Sequence, residues 1–140
     1  MPGPERDCVG DEKDNGMSTQ IRIVVGNVVL GAELFDTPCA SGVVGLLPIE
    51  ATPNVWGDEF YFEIALNHGL DQTATTDVQV GDIGFWQPGR ALAIFFGPTP
   101  MSVGEKPVPA SAVNLVGRIT HDAGLLKGVK GAASIRIEAA

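Results

Sequence analysis

The chain has few basic side chains, few cysteines and histidines, and no long apolar run. Nine Lys and Arg residues are outnumbered by 17 Asp and Glu residues, which gives a formal net charge of −8 over 140 residues. A surface of that sign repels phosphate backbones and anionic lipids on average, so we expect no nucleic acid and no membrane as a partner. No stretch approaches the roughly 20 apolar residues of a membrane span. The amino terminus also lacks a secretory signal, and a cytoplasmic protein is expected.

The scarcity of metal-binding residue types argues against a metal centre or a disulfide framework. The two cysteines, Cys8 and Cys39, have no spacing typical of a disulfide scaffold or a zinc knuckle, so both are predicted to be free thiols. The two histidines, His68 and His121, lie far apart, and no group of His, Cys and Asp residues has metal-ligand spacing. The sequence therefore predicts neither a metal nor another cofactor.

Differences in composition divide the chain into two regions of unequal length. Residues 1–18 are acidic and contain almost nothing to bury, so they are predicted to form a disordered tail. Met17 leaves open whether residues 1–16 belong to the natural protein. Residues 19–140 hold apolar runs separated by glycine and proline, and they are numerous enough to bury one core. One domain is predicted there.

Alternation of apolar and polar residues dominates residues 19–140 and predicts a mostly β protein. Gly26 and Asn27 interrupt the first alternating run, and such a pair favours a tight hairpin turn. One short helix is predicted between Pro38 and Pro48, and a second is predicted after Asp122. Further strands are predicted at 51–56, 59–66, 83–86, 91–96, 112–120 and 133–138. About eight strands with two short helices suit a closed barrel, which has no exposed sheet edges.

Three segments carry a family resemblance. They are Gly81 to Pro100, with its Gly/Pro corners between two apolar strands, Val55 to Phe62, and Pro109 to Ile119. Together they resemble a small, atypical prokaryotic branch of the cyclophilin-like β-barrels, over about residues 19–140. The resemblance implies a closed cyclophilin-like barrel, and it implies no particular activity, because barrels of this type serve different roles.

Family members that isomerise prolyl bonds carry an arginine in a Phe-His-Arg context and a Gln-Gly-Gly-Asp segment, and neither occurs here. The comparable position holds carboxylates, which cannot donate a hydrogen bond to the prolyl nitrogen at the twisted transition state. Arg90 and Arg118 are the candidates for a displaced donor. Both are also consistent with exposed charges at a barrel rim.

Glu59, Tyr61 and Glu63 alternate along one predicted strand, and the strand rise places the phenol about 7 Å from the carboxylate on either side of it. That spacing suits acid–base chemistry, and it suits a solvated strand face equally well. Glu59 and Tyr61 are the catalytic candidates of this face. We expect Glu59 to be the better one, since Trp56 stands beside it and can shield it from water.

Five residues near corners and on apolar strands are candidates for ligand binding: Trp56, Trp86, Phe96, Met101 and Asn114. Core packing is the favoured role of Phe96, and Asn114 either binds an amide or satisfies a neighbouring loop. Exposed aromatic side chains and methionine at a barrel mouth would form a platform for a peptide or a small ligand. Three hypotheses follow: a cyclophilin-like binding domain for a peptide or small molecule, a prolyl isomerase with a non-standard site, and an accessory to amide or carboxylate chemistry. The oligomeric state is left open.

Overall fold

The first two strands form the hairpin that the alternating pattern predicts. In the computed structural model, which describes residues 18–140, β1 is Thr19–Val25 and β2 is Val28–Leu34. The two strands pair antiparallel from Thr19 opposite Leu34 to Val25 opposite Val28. Gly26 takes a positive φ of 57° in the turn, a conformation that glycine adopts at little steric cost. The predicted disordered tail lies outside the described residues, apart from Ser18.

Both predicted helices are present. Helix α1, Pro38–Val44, begins after Thr37, whose side-chain oxygen accepts a hydrogen bond from the Ala40 amide at 3.2 Å. The second, Ala123–Val129, is a 3₁₀ helix that begins after Asp122, whose carboxylate accepts from the Gly124 amide at 3.0 Å. Among residues 18–140, no helix has the length and apolarity needed to cross a membrane.

Eight further strands complete the sheet. They are β3 Ile49–Ala51, β4 Asn54–Val55, β5 Glu59–Glu63, β6 Ala74–Thr75, β7 Asp82–Trp86, β8 Ala91–Phe95, β9 Val113–Ile119 and β10 Ile135–Ala139. A single 3₁₀ turn, Gln87–Gly89, joins β7 to β8. The strands are paired in the order β3-β10-β1-β2-β9-β7-β8-β5-β4, and β6 pairs with β9. All of these pairings are antiparallel.

The mostly β prediction is confirmed, but the strand count and the closed barrel are not. The described residues contain ten strands. The run predicted as one strand at 51–56 is divided around Pro53, which has no amide hydrogen to donate. The sheet is curled into an open half-barrel. Its two terminal strands, β3 and β4, are chain neighbours, and no ladder joins them within residues 18–140.

Strands β5 and β8 separate two apolar clusters. On one side, Phe60 and Phe62 of β5 and Ile94 of β8 belong to the main core, which also contains the buried side chains of β1, β2 and α1. On the other side lies a smaller cluster: Val78, Ala93, Phe95 and Val113, with Tyr61, Trp86 and Leu115 packed against it. Every residue of β8 is buried as a result. The second cluster forms the floor of the candidate site.

Candidate functional site

A cavity of about 220 Å³ lies over the second cluster, on the side of the sheet away from the main core. Four aromatic side chains, one carboxylic acid and several small apolar residues line it: Trp56, Glu59, Tyr61, Trp86, Ala93, Phe95, Pro109, Ala110 and Val113. Its volume is below the 300–1,000 Å³ typical of pockets for drug-sized ligands. The cavity therefore suits a compact ligand.

Strand register places the polar and aromatic residues of the cavity over apolar neighbours. On β5, Glu59 lies opposite Phe95 and Tyr61 lies opposite Ala93 of β8. On the far side of β8, Trp86 of β7 lies opposite Ala91. Because side chains alternate between the two faces of a strand, the residues at every second position of β5 and β8 share the cavity face.

Trp56 reaches the cavity from the turn between β4 and β5. Its amide donates to the Glu59 carbonyl at 3.0 Å, which closes the turn. Gly57 has a φ of 62°, and a Cβ there would lie 2.9 Å from the Pro98 carbonyl oxygen. Glycine is favoured at this position for both reasons, since the turn needs the left-handed backbone and packs against the proline-rich loop of residues 97–110.

Trp86 is held by the loop that precedes β9. Its indole Nε1 donates to the Ser111 hydroxyl at 2.8 Å. The neighbouring loop residues Pro109 and Ala110 form part of the cavity lining. The loop thus completes the site from a segment that is distant in sequence from Glu59 and Trp56.

Glu59 is the polar group that distinguishes this cavity. Only 7% of the residue is exposed. Its Oε1 is buried and has no hydrogen-bond partner among residues 18–140. Burial raises the pKa of the Glu59 carboxyl from its ordinary value of 4.5 to about 7, because an apolar environment disfavours the charged form. A buried carboxyl with this pKa can exchange its proton near neutral pH, or it can form an ion pair with a cationic ligand.

The neighbouring carboxylate, Asp58, is fully partnered. Its side chain receives the Lys130 ammonium at 2.8 Å and lies 3.7 Å from the Lys127 ammonium. Glu59 takes part in none of the ion pairs between residues 18–140. The two lysines therefore balance the charge of Asp58 beside the cavity. Neither of them pairs with the Glu59 carboxyl inside it.

The fold brings together four of the predicted site residues and separates the others from them. Trp56, Glu59, Tyr61 and Trp86 all line the cavity. The remaining five do not line it: Phe96, Met101, Arg90, Arg118 and Asn114. Phe96 belongs to the main core, and its ring centroid lies 4.8 Å from that of Phe60. Met101 is 52% exposed on the proline-rich loop.

The two arginines that were considered as displaced donors both face solvent. Arg90 donates to the Glu63 carboxylate at 2.8 Å in an exposed ion pair. Arg118 lies opposite Glu33 of β2 and Asp82 of β7, and it is exposed as well. Glu63 thus has a cationic partner at the surface, which distinguishes it from Glu59 on the same strand.

Asn114 lies in a different polar group, beneath a loop. Its Oδ1 accepts from the Asp71 amide at 3.0 Å, and its Nδ2 donates to the Gly69 carbonyl at 3.0 Å. Nδ2 also lies 3.6 Å from the Cys39 sulfur, and the thiol of Cys39 is free and buried. The other predicted free thiol, Cys8, lies outside the described residues.

Five cavity residues and one cluster were not predicted as parts of a site from the sequence: the five are Ala93 and Phe95 of β8, Pro109, Ala110 and Val113. Pro109, Ala110 and Val113 line the cavity, and only their place in the third resemblance segment drew attention to them. Cys39, His68 and Asp71 come within 4.8 Å of one another through one ligand atom each. No sequence spacing signals that cluster, because the three residues belong to a helix and to a loop that packs against it.

These features define a small antiparallel β domain with an aromatic, acid-containing pocket on the outer side of its half-barrel. The family model described as Cyclophilin-like matches residues 19–138, and the chain belongs to this family. It is also similar to the hypothetical protein AF2241 from Archaeoglobus fulgidus, known from a solution structure, with 35% identity and a TM-score of 0.74. That match covers 92% of this chain and 100% of the archaeal one. No curated protein matches the chain.

Proposed function

We propose that this cyclophilin-like domain binds a compact organic cation, such as a methylated or primary ammonium group, in the pocket of Trp56, Glu59, Tyr61 and Trp86. One observation carries the proposal: the buried Oε1 of Glu59 has no partner among the described residues. An unpaired polar atom in an apolar site costs about 1–3 kcal/mol or more. A ligand that supplies a positive charge or an N–H donor removes that cost.

The rest of the lining favours a cation over a neutral donor. Aromatic rings attract ammonium groups through their quadrupole, by about 0.5–2 kcal/mol each, depending on desolvation. Four aromatic side chains share the cavity with the carboxyl group. The net charge of −8 also raises the local concentration of cations around the protein. The small apolar residues Ala93, Ala110 and Val113 leave space for the methyl or methylene groups of such a ligand.

A second function draws on the same side chain. A carboxyl whose pKa is about 7 is suited to general acid–base catalysis, since efficiency is greatest when the pKa lies near the working pH. That supports the alternative of an accessory to amide or carboxylate chemistry, with Glu59 as the proton carrier and Tyr61 beside it. Prolyl isomerisation has less support, because neither Arg90 nor Arg118 lines the cavity.

The test is a calorimetric titration with choline and with its neutral carbon isostere, in which a tert-butyl group replaces the trimethylammonium group. The two probes have nearly the same shape, so the difference between their affinities reports the contribution of the charge. We expect choline to bind at least ~10-fold more tightly, since a desolvated charge contact contributes more than about 1.4 kcal/mol. Glu59→Gln should remove most of that difference.

Glu63→Gln is the matched control, because Glu63 lies on the same strand but faces solvent with Arg90. Its affinity for choline should equal that of the wild type. Equal affinities for choline and the isostere, or no saturable binding below about 10 mM choline, would contradict the proposal. Turnover of an amide substrate that disappears in Glu59→Gln would instead favour the acid–base function.

A further inference from the structure

A second group of chemically reactive side chains lies apart from the pocket. Cys39 is the second residue of α1, and His68 and Asp71 belong to the loop between β5 and β6. One ligand atom from each lies within 4.8 Å of the others. Asn114 of β9 contacts this group, while its neighbour Val113 lines the pocket. The two sites therefore lie on opposite faces of β9 and can be tested independently.

We propose that Cys39, His68 and Asp71 bind a divalent transition-metal ion of the zinc class. Thiolate, imidazole and carboxylate are three of the ligand types that Zn²⁺ uses, and the mixture of sulfur and nitrogen disfavours Ca²⁺ and Mg²⁺. Three protein ligands leave one position of a tetrahedral ion open, as in metal sites that bind a water or a substrate.

The state of each ligand supports this assignment. His68 Nδ1 lies 2.8 Å from the Gly69 carbonyl oxygen, so Nδ1 carries a proton and donates it. Neutral imidazole then has its lone pair on Nε2, and such a backbone hydrogen bond is typical of metal-bound histidine. One oxygen of Asp71, Oδ1, accepts from the Thr73 amide and hydroxyl. The other, Oδ2, is buried and without a partner among the described residues.

Asn114 holds the three ligands in place. It bonds the Asp71 amide and the Gly69 carbonyl of the loop, and its Nδ2 lies 3.6 Å from the Cys39 sulfur. The loop that carries His68 and Asp71 is thereby fixed against α1 without any metal. His68 and Asp71 are partly exposed, which leaves a route for an ion to reach the buried Cys39. The thiol proton passes to solvent when the metal–sulfur bond forms.

The experiment is an anaerobic cobalt titration of the full chain carrying Cys8→Ser, which leaves Cys39 as the one thiol. We expect a thiolate-to-cobalt charge-transfer band that saturates at one ion per chain, with intense visible bands typical of four-coordinate cobalt, and displacement by zinc. His68→Gln and Asp71→Asn should each weaken zinc binding about 100-fold or more, because even the loss of an outer partner costs 10–100-fold. Asp71→Asn keeps the Oδ1 acceptor for Thr73.

His121→Gln is the control, since His121 is the other histidine and lies near Gly31. It should bind zinc as the parent does. Absence of the charge-transfer band at saturating cobalt overturns the proposal, and so does zinc binding that is the same in His68→Gln and in the parent. Either result would mean that the three residues bind no metal and lie close together only because Asn114 anchors the loop. Binding of choline in the pocket is unaffected by either outcome.

Discussion

The two faces of β5 and β8 differ in how completely their side chains are satisfied. On the core face, phenylalanine and aliphatic side chains pack against α1, β1 and β2. On the pocket face, the same two strands present Glu59, Tyr61, Ala93 and Phe95 to a cavity. The first face stabilises the fold. The second keeps a buried carboxyl without a partner, which is a cost to stability that a binding function explains.

The largest expected effect is on the core face. Phe62→Ala should lower the free energy of unfolding by about 3–5 kcal/mol, because it removes a fully buried ring and leaves a cavity. Urea denaturation measures the loss. A destabilisation below about 1 kcal/mol would show that the core face is not the stabilising one.

The next effect comes from the pocket face and depends on pH. The pKa of Glu59 is about 7 in the folded chain and has an ordinary value of 4.5; at 1.36 kcal/mol per unit, the difference corresponds to roughly 3 kcal/mol. Since the folded state holds the proton more tightly, this stabilisation is complete below 4.5 and is lost as the pH rises through about 7. The stability of Glu59→Gln should not fall in this way as the pH rises, because glutamine does not ionise.

Denaturation curves from about pH 4 to about pH 8 test this linkage. Glu63→Gln serves as the control, and its profile should follow that of the wild type. Parallel pH profiles for the wild type and Glu59→Gln would mean that Glu59 is solvated or paired in solution.

A smaller effect is expected from the aromatic wall. Trp86→Ala should weaken choline binding about 10-fold, since it removes one cation–π partner, while the chain stays folded because Trp86 is only partly buried. Calorimetry gives the affinity and circular dichroism the fold. The control is Met101→Ala, on an exposed loop position outside the cavity. An unchanged affinity of Trp86→Ala for choline would show that the indole does not contribute to binding.

The smallest effect concerns the partnered carboxylate beside the pocket. Asp58→Asn breaks the ion pairs with Lys127 and Lys130, and should cost about 1 kcal/mol, with a smaller loss at high salt. Thermal unfolding at two salt concentrations measures it. A loss as large as that of Phe62→Ala would contradict the assignment of stability to the core face.

Local patterns predicted much of the fold. The Gly26 turn and the Asp122 cap could both be predicted, because turns and caps depend on neighbouring residues. Strands β4 and β6 were not resolved as separate elements, since each has only two residues and carries no periodicity. Closure of the barrel was inferred from strand number, and strand number alone does not determine whether the end strands pair.

The site was only partly predictable for a similar reason. Glu59 could be singled out because Trp56 precedes it closely, and burial does raise its pKa. Pro109 and Ala110 complete the cavity from a distant loop, and no local pattern reports such a contact. Asn114 looked like a possible ligand group because a polar residue interrupts an apolar strand. Its partners, Asp71 and Gly69, become visible only once the loop is folded over it.

The most direct test of the account is the titration of the Glu59 carboxyl by carbon-detected NMR, with and without saturating choline. We predict a midpoint near pH 7 in the free protein and a fall of about one unit with choline, which corresponds to ~10-fold tighter binding by the ionised form. A midpoint at the ordinary value of 4.5, or one that choline does not move, would contradict the claim that Glu59 is a buried carboxyl that binds a cationic ligand.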